Sequence, residues 1–398
     1  MGHRRHRPHQ AHQPAATRAA PRRERRLSLP DHADQAGRLI VARVSLRSFR
    51  SYAALDLELR KGLVIVVGPN GVGKTNLLEA LHVGAQGFSP RTRSEPRLVR
   101  FGDQAARVRL EGAEAGAPVD AEVTIAPGEG KRIKLNGAAL DSAEELRLRL
   151  TALVFVPDRL AVVKGGPAVR RAYVDRMLGL VFPARASLPG EYGRALAQRN
   201  EALRRARAGV STRDAVTPWT EQVAALGAHL DVARRELVDL LAPGFVEHSG
   251  LLGLAEGRLA YEAEPLALAD LEARLDRDFE RGTTGAGPHL RDVAIRAGDR
   301  DLRSFGSQGE QRTAVLGLLL AEATALAELR GAPPLLLLDD VLSELDADRR
   351  RALLAALPPG GQTLVSATSM AALPELAPQP ALVVEVRRED GASVAEAA

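Results

Sequence analysis

Residues Leu63 to Asn76 read LVIVVGPNGVGKTN. A short, apolar, β-branched run ends at Gly68 and passes through Pro69, Asn70, Gly71, Val72 and Gly73 into Lys74, Thr75 and Asn76, which is the text of a strand, a loop and a helix start. Gly68, Gly71 and Gly73 allow a turn tight enough for successive N–H groups to point inward at a polyphosphate, an approach that side chains would block. Lys74 brings a compact positive charge to the β- and γ-phosphates, and the Thr75 hydroxyl is placed to ligate a Mg²⁺ that bridges them. The helix beginning near Asn76 adds the positive end of its dipole. The complete G-x-x-x-x-G-K-T spacing directly behind a strand separates this stretch from a chance glycine-rich turn.

Upstream, residues 39 to 59 alternate apolar and polar positions through Ile40, Ala42, Val44 and Leu46 and again through Leu55, Leu57 and Leu59. Two strands joined at Phe49 to Ala53 follow from that period of two. Arg50, in the turn, has two readings: a contact to the nucleotide, or a solvated turn residue. Downstream, Leu77, Leu78, Ala80 and Leu81 continue at helical spacing to a stop near Gly84 or Gly87. Arg91, Arg93, Arg97 and Arg100 follow in a Ser- and Pro-bearing loop that either contacts phosphates or is simply exposed. Residues 105 to 140 read as further strands, giving a lobe of mixed sheet around the phosphate loop. A helix begins at Asp141, and ALVFVP is a buried strand ending at Pro157.

From Lys164 to Arg281 the text changes to Ala, Leu and Arg at helical spacing, with helices over about 168–181, 188–208 and 218–241, broken by Pro183, Gly209 and Pro243. Arg194, Arg199, Arg204 and Arg205 crowd one of these helices. They form either a DNA-backbone contact or a salt-bridged surface face. A second glycine-bearing turn, SFGSQGEQR, then opens a helix near Ser307 and Gly309 and offers another anion site. LLLLDD follows, a buried strand delivering Asp339 and Asp340 to the sheet edge where α/β folds bind ligands. Asp339 suits a Walker B ligand to Mg²⁺ and Asp340 the base for an attacking water. QTLVSAT is the last expected strand, with Ser366 and Thr368 placed to sense a γ-phosphate.

Composition narrows the classes. The chain has 398 residues, 45% of them hydrophobic, and no cysteine, so disulfides, thiolate catalysis and cysteine-bound zinc are excluded. No apolar run approaches the ~20 residues needed to span a bilayer, and residues 1–38 lack the apolar segment of a secretory signal, so a cytoplasmic location is expected. Of 55 basic and 50 acidic residues, nine and three lie in residues 1–38, leaving 46 against 47 in the body. Net charge therefore says nothing about DNA. The Arg-rich extension is expected to be disordered, and reads as a solvated tail without a role, a nonspecific nucleic-acid arm, or the product of a start codon placed too early.

Lys74 and Asp339 stand 265 residues apart, so the ATPase lobe is split: 39–160 and 287–398 form its halves and 161–286 a helical insertion. The expected fold is α/β, an ABC-type P-loop ATPase lobe with an inserted, mostly helical second lobe. In such cassette proteins the signature turn faces away from its own phosphate loop, so Ser307 and the amides near Gly309 would complete the γ-phosphate site of a second subunit. ATP would then hold a homodimer that hydrolysis releases.

SLRSFRSY, GPNGVGKTNLLEAL, VVKGGPAVRRAYVDR, YGRALAQRN, Gly287-Pro288-His289, FGSQGEQR and LLLLDDVLSELD together resemble the RecF family, relatives of the heads of structural-maintenance-of-chromosomes proteins, over residues 39 to about 390. The resemblance implies an ATP- and Mg²⁺-dependent protein that binds single-stranded and gapped duplex DNA and assists recombinase loading together with RecR and RecO. The chain departs from the family pattern at Leu290 and Arg291, where Arg-Asp-Asp usually follows the histidine and only Asp292 matches, at Glu310, where Gln is common, and in its Arg-rich extension. A transporter nucleotide-binding subunit, a defence ATPase and a nonhydrolysing scaffold are the competing classes.

Overall fold

The computed structural model describes residues 1–2, 39–114, 116–374 and 378–398. The expected disorder of the 1–38 extension falls on positions outside this set, apart from its first two residues.

Strands Leu39–Phe49 (β1) and Tyr52–Glu58 (β2) form the expected hairpin, and Gly62–Val67 (β3) leads into the phosphate loop and helix Lys74–Gln86 (α1). Gly87 closes α1 in the left-handed conformation at φ 72°. The chain then lays down strands Ala106–Glu114 (β4), Ala117–Ala126 (β5), Gly130–Leu135 (β6) and Ala138–Leu140 (β7). Helix Ala143–Arg149 (α2) is capped by Ser142 and precedes the strand Ala152–Phe155 (β8).

The insertion supplies helices Ala161–Lys164 (α3), Pro167–Val181 (α4), Leu188–Arg207 (α5) and Thr217–Leu251 (α6), strand Gly257–Ala260 (β9), and helices Leu268–Glu272 (α7) and Leu275–Arg281 (α8). Strands Ala294–Ala297 (β10) and Arg300–Asp301 (β11) pair with β9 in a small antiparallel sheet. The short helix Leu302–Phe305 (α9), helix Gln308–Arg330 (α10), strand Leu335–Leu338 (β12), helix Ala347–Ala355 (α11) and strands Gln362–Ala367 (β13), Leu382–Glu389 (β14) and Ala392–Ala397 (β15) complete the chain.

The strands around the phosphate loop divide between two sheets, which corrects the expectation of one mixed sheet. One is antiparallel, in the order β2-β1-β4-β5-β6-β7; the other has the order β15-β14-β3-β13-β12-β8, with neighbours parallel from β14 to β8. Strand alternation explains how the second sheet serves two cores. Val64, Val66, Leu335, Leu337 and Leu364 point to the core shared with α1 and the antiparallel sheet, whereas Ile65, Val67, Leu336, Leu338 and Val365 point to the core shared with α4, α6 and α10. Both faces being covered, the parallel strands read as unbroken apolar runs.

The C-terminal hairpin β14–β15 extends the sheet beyond QTLVSAT, which is therefore not the last strand. Its turn is Asp390-Gly391, both at positive φ, 47° and 78°. The helix expected to stop before Pro243 continues to Leu251. Pro243 lies on the exposed face, where the carbonyl it frees at Asp239 meets water, and Gly244 packs against Ala321 of α10, so tertiary packing outweighs the local penalty. Among the described residues no helix is long and apolar enough to cross a membrane.

Arg199 corrects the reading of the basic helix. Tyr192, Ala195, Arg199 and Leu203 form the buried stripe of α5 at helical spacing, and Arg199 is 0% exposed. Its guanidinium donates to Asp278 (2.8 Å), Thr284 Oγ1 (2.7 Å) and Thr220 Oγ1 (3.0 Å), joining α5 to α6 and α8. It has no surface to offer DNA. Replacing Arg199 with Ala leaves the Asp278 carboxylate buried and uncompensated, so the expected result is a loss of about 3–5 kcal/mol of stability in a denaturant titration. A variant as stable as the parent would show that the pair contributes nothing net.

Candidate nucleotide site

The phosphate loop is shaped from behind by the C-terminal hairpin. Gly68 takes φ 155°, and a Cβ there would lie 2.2 Å from the Val386 carbonyl oxygen of β14. Gly73 takes φ 120°, and its Cβ would lie 2.4 Å from Ser393 Oγ of β15. Both positions therefore require glycine for space, and Gly73 also for its backbone angle. Ser393 donates to the Val72 carbonyl at 2.5 Å and lies 2.7 Å from the Ser51 hydroxyl, while Ser51 accepts from Asn76 Nδ2 at 2.8 Å. Tyr52 donates to the Gly73 carbonyl at 3.2 Å. The loop between β3 and α1 is thus held by residues of β2, β14 and β15, with Pro69, Asn70 and Gly71 left exposed at its tip.

Lys74 Nζ donates to the carbonyls of Gly68 (2.6 Å) and Pro69 (2.9 Å), which sets the ammonium over the mouth of the loop. Burial pushes its pKa down, and the carboxylates of Asp340 and Asp339 pull the other way. Thr75 Oγ1 donates to Asp339 Oδ1 at 3.0 Å, and Ser366 Oγ donates to the same oxygen at 2.8 Å. Asp339 is 4% exposed, and burial raises its pKa against the opposing pull of those two hydrogen bonds. A buried carboxylate held by hydroxyls rather than by a side-chain cation, one of them the Thr75 hydroxyl at the loop's helix start, is a hard-oxygen set that fits Mg²⁺. Asp340 sits at φ 51°, its N–H donated to Ser366 Oγ at 2.8 Å. Ser366 is thereby consumed in fixing both acids, and Thr368 lies exposed beyond the strand.

Arg50 flanks this site without entering it. Its Nε and Nη2 donate to the two oxygens of Glu79 on α1, at 2.9 and 2.7 Å, and Nη1 donates to the Arg97 carbonyl at 2.9 Å. Arg91 reaches the same Glu79 at 3.1 Å and Asn76 Oδ1 at 3.2 Å. Glu79 is 2% exposed and gathers both guanidiniums, so the structure ties Arg50 to the phosphate-loop helix where the sequence left a direct contact to nucleotide open.

The signature turn ends in a capping box. Ser307 Oγ accepts from the Glu310 N–H at 3.2 Å, and Glu310 accepts from the Ser307 N–H at 2.7 Å. Arg300 binds the same carboxylate at 2.6 Å and, with the Ser307 N–H, lowers its pKa to about 2. Glu310, the departure from Gln, therefore serves as the box's acid. Ser307 and Gly309 are exposed, and among the described residues no hydrogen bond links them to the phosphate loop. The Ser307 hydroxyl keeps its proton free to donate outward.

Arg194, Arg204 and Arg205 lie on the exposed face of α5, with Arg204 paired to Glu201 at 2.7 Å. Sequence reading missed Ser51, Glu79 and Ser393. The Asp-Gly turn flanked by alternating apolar residues was the available signal for the hairpin that carries Ser393. Glu79 carried none, because its importance lies in two arginines that converge from separate loops.

A phosphate loop, two acids at the end of a buried strand two places along the same sheet and a remote capped signature helix define an ATPase head of the ABC class. The RecF/RecN/SMC N-terminal domain family matches residues 40–377. The DNA replication and repair protein RecF of Symbiobacterium thermophilum is 36% identical over 350 residues, covering 83% of this chain and 92% of that one. The protein of the same description from Heliobacterium modesticaldum is 34% identical over 330 residues, covering 79% and 88%. A solved structure of the recombination mediator protein RecF with ATPrS, described in the RecFOR pathway, superposes with a TM-score of 0.77 at 26% identity, over 92% of this chain and 99% of that one. An Smc head bound to the C-winged helix domain of ScpA shares the fold at a TM-score of 0.57 and 17% identity, over 90% and 98%. The chain belongs to the RecF family of DNA replication and repair proteins. A transporter subunit is not the favoured class.

Proposed function

We propose that this chain is an ATP- and Mg²⁺-dependent DNA-binding ATPase of recombinational repair, which pairs with a second copy of itself around ATP and separates after hydrolysis. The observation that carries this reading is the exposed, capped Ser307 turn, built to donate to an anion yet lacking a partner hydrogen bond to its own phosphate loop. In it, the backbone from Gly68 to Asn76 cradles the phosphates, Lys74 neutralises them, and Thr75 and Asp339 hold the metal. Mg²⁺ held by Thr75 and Asp339 would supply positive charge that offsets the negative charge of the phosphates. Asp340 takes the proton of the attacking water, and the partner's signature turn donates Ser307 Oγ–H and the Gly309 amide to the γ-phosphate.

On this reading residues 39–160 and 287–398 act as the ATPase lobe and 161–286 as an inserted lobe. The partners are single-stranded and gapped duplex DNA and proteins of the RecR and RecO kind, and the setting is cytoplasmic, with no membrane. Arg194, Arg204 and Arg205 supply phosphate contacts.

The test is the ATPase rate per subunit measured against protein concentration, with and without gapped duplex DNA. Specific activity is expected to rise with concentration and to rise further with DNA. A rate flat in concentration and indifferent to DNA would leave a self-contained site and remove the paired arrangement.

A further inference from the structure

Phe101 is the most exposed aromatic side chain among the described residues, at 103% of its reference accessibility. Single exposed apolar residues are common on protein surfaces, but this one stands on a rigid support beside arginines. The segment before it is sewn to the β1–β2 turn: Arg50 N–H donates to the Leu98 carbonyl (2.9 Å), Arg100 N–H to the Ser48 carbonyl (2.8 Å), and Phe49 bridges to Val99. The turn that presents the ring closes through Asp103 N–H to the Arg100 carbonyl (3.0 Å), with Gly102 at φ 90°.

The ring lines an open recess of about 460 Å³ together with Arg50, Arg97, Arg100, Asp103 and Pro127. Arg50 is committed to Glu79, and Arg100 stands 3.9 Å from Asp103. Arg97 is exposed and enters no ion pair among the described residues. The recess therefore offers an aromatic face held in water and two guanidiniums with capacity to spare.

We propose that this recess binds an unpaired nucleotide of a DNA strand, its base stacked on Phe101 and its flanking phosphates on Arg97 and Arg100. The assignment rests on the DNA-binding reading above and adds to it a position and a preference for single strands. A base inside a duplex hides both faces in the stack, whereas an unpaired base presents one to any aromatic ring, whatever its identity. The guanidiniums track the backbone without reading sequence. Arg50 joins the recess to Glu79 on the phosphate-loop helix, so the strand would lie beside that helix.

The full chain, with ATP and Mg²⁺, is titrated against fluorescent oligo(dT), a gapped duplex and a blunt duplex. Phe101→Ala is expected to weaken oligo(dT) binding by about tenfold, within the range of a single stacked base, and to leave blunt duplex binding unchanged. Phe101→Trp is expected to keep the affinity of the parent. Arg97→Ala and Arg100→Ala should each lower the salt slope on single strands by about 0.7. Quenching of 2-aminopurine in the oligonucleotide by the parent, and its loss in Phe101→Ala, would report the stack directly.

The proposal falls if Phe101→Ala binds oligo(dT) as the parent does. It falls equally if the variant loses ATP affinity, which would make the ring a platform for the adenine of ATP, or loses ATP-dependent pairing, which would make it a subunit contact. Should the parent chain bind none of the three DNAs, the DNA-binding reading falls with it.

Discussion

Lys74→Ala is expected to lower ATP turnover by at least about a hundredfold and to abolish ATP-linked pairing of subunits. The ammonium rests on the Gly68 and Pro69 carbonyls, 2.6 and 2.9 Å away, and these bonds keep it over the mouth of the loop before any phosphate arrives. Without it the loop retains its amides, but the nearest formal charges become the carboxylates of Asp339 and Asp340, the two acids that Lys74 faces. A polyphosphate would then enter a site whose fixed charge is negative. Arginine is not an equivalent substitute: its charge is spread over a broad planar fork, where lysine supplies a compact point charge. Lys74 is largely buried, so circular dichroism and a melting curve must accompany the kinetics. ATP affinity, turnover and sedimentation with and without ATP are the readouts. A folded variant that turns over ATP at the parent rate would remove Lys74, and with it the phosphate loop, from the chemistry.

The parts of the site visible in the sequence are those set by local backbone rules. The loop glycines, Lys74 and Thr75 are a contiguous strand–turn–helix, and LLLLDD is a buried strand whose acids can only emerge at its end. The parts that escaped depend on contacts between distant segments. Gly68 and Gly73 have their shape enforced by Val386 and Ser393, more than 300 residues downstream, on a hairpin that lies beyond QTLVSAT, the last strand expected. Arg199 was misplaced for the opposite reason, because its periodicity was legible and its charge was read instead: the stripe Tyr192, Ala195, Arg199, Leu203 already faces inward. Counting arginines on a helix finds a basic patch only after the buried stripe has been removed from the count. Arg194, Arg204 and Arg205 survive that subtraction. Likewise, the division of the strands into two sheets could not be drawn from alternation alone, since period two fixes the faces of a strand and not its neighbours.

Asp340→Asn is expected to keep ATP binding while reducing turnover by about 10²–10⁴, the range of a lost general base, and to hold the subunits together for as long as ATP lasts. The choice of replacement follows from the backbone. Asp340 lies in the left-handed region at φ 51°, which asparagine tolerates about as well as aspartate, whereas alanine would add strain of about 1–2 kcal/mol and mix folding with chemistry. The amide side chain also leaves intact the Asp340 N–H bond to Ser366, and through Ser366 the 2.8 Å bond that orients Asp339. What changes is one negative charge near Lys74 and the capacity to accept a proton. Asp339→Asn separates the two acids. It removes the charge that Thr75 and Ser366 address, so it should raise the Mg²⁺ concentration needed for half-maximal turnover, a shift that Asp340→Asn should not produce. Single-turnover hydrolysis, sedimentation and Mg²⁺ titration distinguish these cases. If Asp340→Asn hydrolyses ATP as fast as the parent, the proton of the attacking water goes elsewhere. If it instead fails to bind ATP, the acid belongs to ground-state binding, and release of the paired state would have to be driven by something other than cleavage at this strand end.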